Sequence, residues 1–346
     1  MKVCSRSARR GRTKPPTDGR PLIVVLRPLG LGDLLTALPA ARGLKRAFPQ
    51  HRILLAASAA LSDLASLSGA FDDVVDTQPH EPLAAWLQGA DIAVDMHGRG
   101  PRSHRVLLDA RPHRLMAFRS EAVPESAGQP PWEQDEHEVR RWCRLLAGNG
   151  ISCDPQDLDL PVPPVAVPAT LRGAVVIHGG AKDPARRWPP ERFAEVAVAL
   201  RDRGERIVIS GGADEATVAF EIAAEAGLDK DCVVAGRTTL LELAATVAAA
   251  ACVICGDTGV AHLATAYRKP SVVLCGPISP SLWGPPPQRP WNRALWKGRS
   301  GDPHGHEVDA GLLQIRPDDV LSALEEARAA LQRNEAALSE AQPAHV

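Results

Sequence analysis

Short runs of aliphatic and β-branched residues alternate along the chain with longer amphipathic or alanine-rich stretches. This alternation predicts repeated strand–helix units around parallel sheets, and therefore an α/β fold. Strands buried on both faces are continuous apolar runs, which is the pattern of residues 175–177, 207–209 and 271–275. The predicted strands are residues 22–27, 53–57, 74–77, 92–96 and 114–118 in the first half, and 174–178, 207–210, 232–234, 251–255 and 271–274 in the second.

The strand–helix pattern is interrupted between residues 151 and 172, where five prolines replace helical periodicity. Such a stretch is typical of an extended linker. A chain of 346 residues is also longer than one hydrophobic core usually supports, so two domains are expected. The expected division is a disordered basic tail (1–20), a first domain (21–150), the linker (151–172), a second domain (173–335) ending in a helix that begins at Pro317, and a frayed tail (336–346).

Composition excludes several classes of protein. The 40 basic and 41 acidic residues nearly cancel, which argues against nucleic acid as a partner. The longest apolar runs are far shorter than 18 residues, so no transmembrane segment is expected. Seven cysteines lack the spacing of a disulfide framework, and a strand would point Cys252 and Cys255 to opposite faces, so neither disulfides nor a metal site is expected. These features favour the cytoplasm.

Charge is distributed unevenly in the first half of the chain. Six arginines and a single acid, Asp109, lie between residues 97 and 119. This stretch suits an anionic glycan or glycolipid partner and suggests peripheral contact with the inner face of a membrane. A solvated face of an arginine-rich helix explains the same pattern, so both interpretations stay open.

The loops that follow the strands are the candidates for chemistry, because parallel sheets bind ligands beyond the carboxyl ends of their strands. After the first strand, residues 30–33 (Gly-Leu-Gly-Asp) lead into a helix. Asp33 is placed to be the helix N-cap, and it is equally placed to be a general base beside the glycines. The loop is not GxGxxG, so nicotinamide binding is not expected. After the fourth strand, His97 and Arg99 are candidates for acceptor binding or plain solvated loop residues.

Two loops of the second half contain candidate donor-binding residues. In residues 178–189, small residues expose backbone amides and cations suit a diphosphate. Trp188 is expected to pack the loop against the next helix. After the following strand, we expect Asp214 to cap a helix and Glu215 to bind a ribose diol. The candidates in the first of these loops are Gly179, Gly180, Lys182, Arg186 and Arg187.

The most specific local feature is the segment 256–264 (Gly-Asp-Thr-Gly-Val-Ala-His-Leu-Ala), which follows an apolar strand and opens an alanine-rich helix. A glycine-bracketed turn at a helix N-terminus forms an anion site from backbone amides. Asp257 is then placed to orient a sugar hydroxyl. His262 lies one turn into the helix, where it either faces the phosphates or packs against the sheet.

Together these motifs resemble glycosyltransferase family 9, the ADP-heptose:lipopolysaccharide heptosyltransferases, from about residue 21 to residue 333. The resemblance implies a GT-B fold, in which two Rossmann-like domains with parallel sheets face a central cleft. It also implies inversion at the anomeric carbon without a metal ion. The matching motifs are residues 30–49, Arg187-Trp188-Pro189, Gly211-Gly212 with Glu215, and Asp257-Thr258-Gly259 with His262-Leu263.

The resemblance also implies roles for individual residues. Asp33 matches the catalytic base, Arg186 a basic residue that contacts the diphosphate, and Glu215 a ribose-binding acid. Some members have hydroxyl residues where this chain has Gly180 and Ala181, and lysine where it has Arg186, whose fork differs from a point charge. The donor-binding turn is matched by Asp257, Thr258, Gly259 and His262.

The function expected from the whole sequence is an inverting, metal-independent glycosyltransferase without a cofactor. It moves a heptose or related sugar from an ADP-sugar donor to a glycan or lipopolysaccharide-core-like acceptor. Two alternatives remain. One is a nucleotide-sugar hydrolase or 2-epimerase on the same fold, and the other is a non-catalytic module that binds a sugar nucleotide.

Overall fold

The structure, a computed structural model, describes residues 14–341. The chain divides into two compact units, and the division falls between Pro161 and Val162, within the proline-rich stretch. Each unit contains one five-stranded sheet in which all neighbouring strands are parallel. The α/β class with parallel sheets is therefore confirmed.

The sheet of the first unit has the strand order β3-β2-β1-β4-β5. Its core is aliphatic, with Val24 and Leu26 of the central strand packed against Leu54 and Ala56 of a neighbour. The helix after the first strand packs on the last helix of the unit. The elements are β1 (Leu22–Leu26), α1 (Leu31–Ala47), β2 (Arg52–Ala57), α2 (Ser62–Leu67), β3 (Asp73–Asp76), β4 (Ile92–Asp95), α3 (Arg102–Asp109), β5 (Arg114–Met116) and α4 (Glu138–Ala147).

The sheet of the second unit has the order β10-β9-β8-β6-β7. Its core joins Val175 and Ile177 of an inner strand to Trp188, Phe193 and Ile209. The elements are β6 (Val175–His178), α5 (Pro190–Asp202), β7 (Ile207–Ser210), α6 (Ala216–Glu225), α7 (Leu240–Ala248), β8 (Cys252–Gly256), α8 (Gly259–Ala266), β9 (Ser271–Leu274), α9 (Pro280–Trp283), β10 (Asn292–Leu295) and α10 (Pro317–Ala341).

One predicted strand is wrong and one strand was missed. Residues 232–234 are not a strand, because a 3-10 turn covers Lys230–Cys232 and Val233 makes a single bridge to Ile209. The missed strand β10 lies at the edge of its sheet, pairs with β9 alone and is only partly buried. Its sequence, Asn-Arg-Ala-Leu, therefore lacks the continuous apolar run that identifies the inner strands.

The described parts of the two chain ends differ from the tails that the sequence predicts. Helix α10 continues through Ala341, so residues 336–341 are helical rather than frayed. Near the other end, Asp18 pairs with Arg52 at 2.9 Å and the Arg20 side chain donates to the Gln50 carbonyl at 3.1 Å. The remaining parts of both expected tails, 1–13 and 342–346, lie outside the described residues. Between residues 14 and 341, no helix is both long and apolar enough to cross a membrane.

Candidate active site

The first unit brings two of the candidate loops together at the carboxyl edge of its sheet. Strands β1 and β4 are neighbours, with Leu26 paired to Asp95. The loop that leads to Asp33 and the loop that begins at Met96 therefore start side by side. Met96 donates its backbone N–H to Leu26 at 3.1 Å, which ties the two loops at their origin.

Asp33 is not the N-cap of α1, because the helix begins at Leu31 and Gly30 occupies the cap position. Its carboxylate still satisfies a free amide of the helix start, since Oδ2 accepts from the Gly30 N–H at 3.2 Å. The other oxygen, Oδ1, accepts from Arg27 Nη2 at 3.2 Å. The side chain keeps 24% of its surface exposed. The carboxylate is thus anchored and still open to solvent.

The loop after β4 is built on a buried carboxylate. Asp95 Oδ1 accepts from the His97 N–H at 2.8 Å, and His104 Nε2 lies 3.4 Å from Oδ2 without hydrogen-bond geometry. Burial raises the pKa of Asp95 to about 6, against hydrogen bonds from Ser103, His97 and Gly98 that lower it. Burial also lowers the pKa of His104 to about 4. Burial thus shifts both groups toward their neutral forms, so that His104 is neutral at pH 7 whereas Asp95 is protonated only below about pH 6.

His97, the acceptor candidate on this loop, is half-buried and packs edge-on against His80, with ring centroids 5.2 Å apart. Its pKa is lowered first by burial and then by the charges of His80 and Arg27, whereas Asp33 acts in the opposite direction. His97 and Asp33 are thus within electrostatic reach of each other. Arg99, the second acceptor candidate, is exposed.

The second unit brings Arg186 to Asp257. Strands β6 and β8 are neighbours, with His178 paired to Cys255, so the loops that follow them are adjacent. Arg186 Nη2 donates to the peptide oxygen of Asp257 and lies 3.3 Å from its Oδ2. The two side chains keep 23% and 13% of their surfaces exposed. The diphosphate candidate and the sugar candidate therefore form one cluster.

The turn at the start of α8 contains hydrogen-bonding groups that lack partners within the described chain. Thr258 is the N-cap and Gly259 the first helical residue. The Thr258 hydroxyl makes no side-chain cap, and both its Oγ1 and Arg186 Nε are buried without a hydrogen-bond partner. Buried polar groups are normally satisfied, so unsatisfied donors beside a helix N-terminus indicate a site for an anion.

Glu215 lies over the glycines of the neighbouring loop. Its Oε2 accepts from the Gly212 N–H at 2.6 Å and lies 3.6 Å from Nε2 of His178, whose pKa is lowered by burial. The capping role expected of Asp214 thus belongs to Glu215, while Asp214 is exposed. A Cβ atom on Gly180 would lie 2.2 Å from Glu215 Cδ. A side chain at residue 180 would therefore displace the Glu215 carboxylate from this position.

The remaining residues of the loop after β6 mainly shape its backbone. Arg187 donates to the carbonyls of Ala181 at 2.8 Å and Lys182 at 3.0 Å, so its guanidinium braces the loop. Lys182 is exposed. A Cβ on Gly179 would lie 2.4 Å from Ile222 Cδ1, so Gly179 permits close packing on α6.

Two residues near the candidates, Trp283 and Arg27, were not predicted from the sequence. His262 lies in the first turn of α8, and its ring centroid is 6.2 Å from that of Trp283 in α9. Trp283 could have been predicted from its position in the segment that follows strand β9. The sequence pattern places Arg27 at the end of the first strand, although a charge directly after a buried apolar run indicates a functional or paired residue.

Within residues 14–341, no group of three or more His, Cys, Asp or Glu side chains is arranged to hold a metal ion. Cys252 and Cys255 are both buried, and burial raises the thiol pKa of each. Thiols of this kind are poor ligands, because the thiolate is the binding form.

Comparison with known proteins identifies similar enzymes. The sequence profile described as glycosyltransferase family 9 (heptosyltransferase) matches residues 129–310, more than half of the chain. No curated protein sequence matches. Among solved structures, the chain resembles E. coli ADP-heptose LPS heptosyltransferase II, with 26% identity and a TM-score of 0.70 over 90% of this chain and 99% of that one.

Two further solved structures share the fold at lower identity. One is E. coli heptosyltransferase WaaC with ADP, with 19% identity and a TM-score of 0.67 over 88% of this chain and 99% of that one. The other is the iron-containing dodecameric heptosyltransferase TibC of enterotoxigenic E. coli with ADP-D-beta-D-heptose. It has 17% identity and a TM-score of 0.58 over 90% of this chain and 77% of that one. These likenesses confirm the GT-B fold class.

The buried carboxyl of Asp95 predicts a pH-dependent gain in stability for Asp95→Asn. The pKa of Asp95 is raised from 3.8 to about 6, so its ionised form opposes folding above pH 6, and this cost fades as the pH falls toward 3.8. At pH 8 the variant should gain up to about 3 kcal/mol in free energy of unfolding, and the gain should shrink between pH 6 and pH 4. Urea unfolding at several pH values measures it.

Asp91→Asn is the control of opposite sign. The hydrogen bond from His51 lowers the pKa of Asp91, so its ionised form favours folding above pH 3.8 and the variant should lose stability at neutral pH. A loss of stability in Asp95→Asn that does not vary with pH would contradict the account, because it would make the ionised carboxylate a net stabiliser of its loop.

Proposed function

This chain belongs to glycosyltransferase family 9, the heptosyltransferase family, and from that premise we propose which sugar transfer it catalyses and how. We propose that it moves a heptose, or a related sugar, from an ADP-sugar to a glycan or lipopolysaccharide-core-like acceptor, with inversion and without a metal ion. The likeness to ADP-heptose LPS heptosyltransferase II, at 26% identity over 90% of the chain, supports this donor and this class of acceptor.

The observation that carries the proposal is the pair of unsatisfied donors at the start of α8. Arg186 Nε and Thr258 Oγ1 are buried and lack partners in the described chain, while Asp257 holds the same guanidinium through Nη2. A diphosphate would satisfy both donors together with the backbone amides of Gly259 and its neighbours. Binding of this anion would thus replace a cost of unpaired buried groups with charge-assisted hydrogen bonds.

The same contacts account for departure of the leaving group without a metal ion. As the bond between the anomeric carbon and the diphosphate oxygen breaks, negative charge develops on ADP. Arg186 and the amides at the α8 N-terminus are fixed in advance to stabilise that charge. Glu215 binds the ribose diol, and Asp257 and His262 contact the sugar and the phosphates. No cofactor takes part in this mechanism.

Asp33 of the first unit is the proposed general base. Its carboxylate removes the proton of an acceptor hydroxyl as the hydroxyl oxygen attacks the anomeric carbon, and a single displacement of this kind inverts the configuration. The exposed part of the Asp33 side chain is available for this contact. His97 and the exposed Arg99 are the proposed acceptor contacts on the neighbouring loop.

The proposal predicts that one mutation abolishes donor binding and that another abolishes transfer while donor binding is kept. A thermal-shift titration with ADP-heptose and with UDP, GDP and dTDP sugars should show selective stabilisation by ADP-heptose, about 2.7 kcal/mol at 100 times its Kd. Asp257→Ala should abolish the shift. Asp214→Ala is the matched control, because it removes an exposed carboxylate from the same edge of the sheet and should leave the shift unchanged.

Asp33→Asn is the variant expected to lose transfer alone. It should keep the ADP-heptose shift and lose transfer to a lipopolysaccharide inner-core oligosaccharide by a factor of about 100 to 10,000, with EDTA present throughout. Preference for another nucleotide sugar would refute the donor assignment. Transfer that survives in Asp33→Asn would refute the base, and stabilisation by ADP-heptose without turnover would favour a binding module.

We further propose that the enzyme works in the cytoplasm, with peripheral contact at the inner face of the membrane. Arg99, Arg102 and Arg105 are exposed on the loop after β4 and on α3, and each arginine near an anionic surface contributes about 1 kcal/mol. Changing all three to glutamine should weaken sedimentation with phosphatidylserine vesicles about 100-fold. Unchanged binding would exclude this surface. The control changes three other exposed arginines, Arg140, Arg237 and Arg333.

A further inference from the structure

Arg27 is the first residue after β1 and is among the most buried charged side chains described, with 1% of its surface exposed. A buried guanidinium is costly unless its donors are paired. Here its three nitrogens reach four residues, which lie in three segments of the first unit. Nη1 donates to the Met96 carbonyl, Nη2 donates to Thr36 Oγ1 at 3.2 Å, and the other contacts involve Asp33 and Glu138.

The position of Arg27 is also fixed by contacts that do not involve Asp33. Glu138, the first residue of α4, accepts from Arg27 Nη2 at 2.9 Å through Oε1. The same oxygen accepts from Trp142 Nε1 at 2.9 Å, and the Trp142 ring lies under the guanidinium, 4.8 Å from its centroid to Cζ. A planar cation held by a carboxylate and an aromatic face has little freedom to rotate.

The guanidinium in turn holds both parts of Asp33. Arg27 Nε donates to the Asp33 backbone carbonyl at 2.6 Å, and Nη2 lies 3.2 Å from Oδ1. The Gly30 amide holds Oδ2. The carboxylate is therefore fixed from two directions. Since Met96 directly precedes His97, the same guanidinium also ties Asp33 to the loop of the acceptor candidates.

Ion pairing alone does not explain how Arg27 contacts Asp33. Arg27 Nε donates to the Asp33 backbone carbonyl, which carries no net charge, and Arg27 already has an ion pair with Glu138. The additional contacts to the backbone and side chain of one exposed carboxylate indicate a role in its orientation.

We propose that Arg27 is a positioning residue that sets the orientation of the Asp33 carboxylate, and that Glu138 and Trp142 hold Arg27 in place for this purpose. The proposal rests on the proposed function, in which Asp33 is the general base. A base must meet the acceptor hydroxyl in a defined geometry, and a misplacement of about 1 Å can lower the rate about 100-fold.

The test compares Arg27→Lys with Arg141→Lys. Lysine keeps the charge but loses the fork, so Arg27→Lys should lower kcat for transfer from ADP-heptose to an inner-core oligosaccharide 10- to 100-fold, with both KM values changed less than threefold. Arg141 is also buried, with 7% of its surface exposed, and its Nη1 donates to Oε2 of the same Glu138 at 2.7 Å. It also contacts the carbonyls of Glu133 and Gln134, and it lies over the Trp132 ring at 4.1 Å. It does not touch Asp33, so Arg141→Lys should keep kcat within about twofold.

A double-mutant cycle based on protein stability tests the contact between Arg27 and Asp33 whichever acceptor the enzyme uses. Arg27→Lys and Asp33→Asn should be non-additive by about tenfold in the unfolding equilibrium constant, and Arg141→Lys with Asp33→Asn should be additive. Additivity in the first pair, or equal losses of kcat in the two lysine variants, would overturn the positioning role. If Asp33→Asn keeps transfer, the base assignment itself fails. Loss in Asp33→Asn with full kcat in Arg27→Lys refutes the positioning role alone.

Discussion

The coverage of both sheets on both faces is the constraint on which the rest of the structure depends. Parallel strands buried in this way leave no room for solvated polar groups along their length, so polar chemistry is confined to strand ends and the loops beyond them. Nearly all the candidate residues obey this rule and lie within about ten residues after β1, β4, β6, β7 or β8. Two polar side chains close to the candidates, Asp95 and His178, lie within strands. Each is the last residue of its strand, and both are buried.

The same constraint explains how far the sequence could predict the site. Loops after apolar runs could be identified because each run ends abruptly, which is why Asp33, Glu215 and the turn at Asp257 became candidates. Contacts between loops could not be identified, because they depend on strand order. Arg186 and Asp257 are 71 residues apart and meet only because β6 and β8 are neighbours in their sheet.

Other features of the structure depend on long-range packing and could not be predicted for the same reason. Arg27 and Glu138 are 111 positions apart, and no local pattern joins them. The exact start of helix α1 could not be predicted from local sequence either. The sequence suggested Asp33 as the N-cap, whereas the backbone places Gly30 there. The edge strand β10 was not predicted, because it is only partly buried and a continuous apolar run identifies only inner strands. Residues defined by local chemistry were thus predictable, and residues defined by tertiary contact were not.

The two units show opposite states of hydrogen bonding at their candidate residues. Around Asp33 the carboxylate oxygens are paired, which suits a group that must keep one orientation. At the start of α8, Thr258 and Arg186 keep buried donors without partners in the described chain, which suits a group that a ligand completes. These two states suit the proposed transfer without a metal ion, which would need a preorganised base and an anion site that the donor completes.

The anomeric configuration of the transferred sugar tests this account most directly. NMR of the product formed from ADP-heptose and an inner-core oligosaccharide should show a glycosidic bond of opposite configuration to the donor, with one ADP released for each bond formed. Retained configuration would contradict a single displacement assisted by Asp33. Release of ADP with free heptose as the only sugar product would contradict transfer itself.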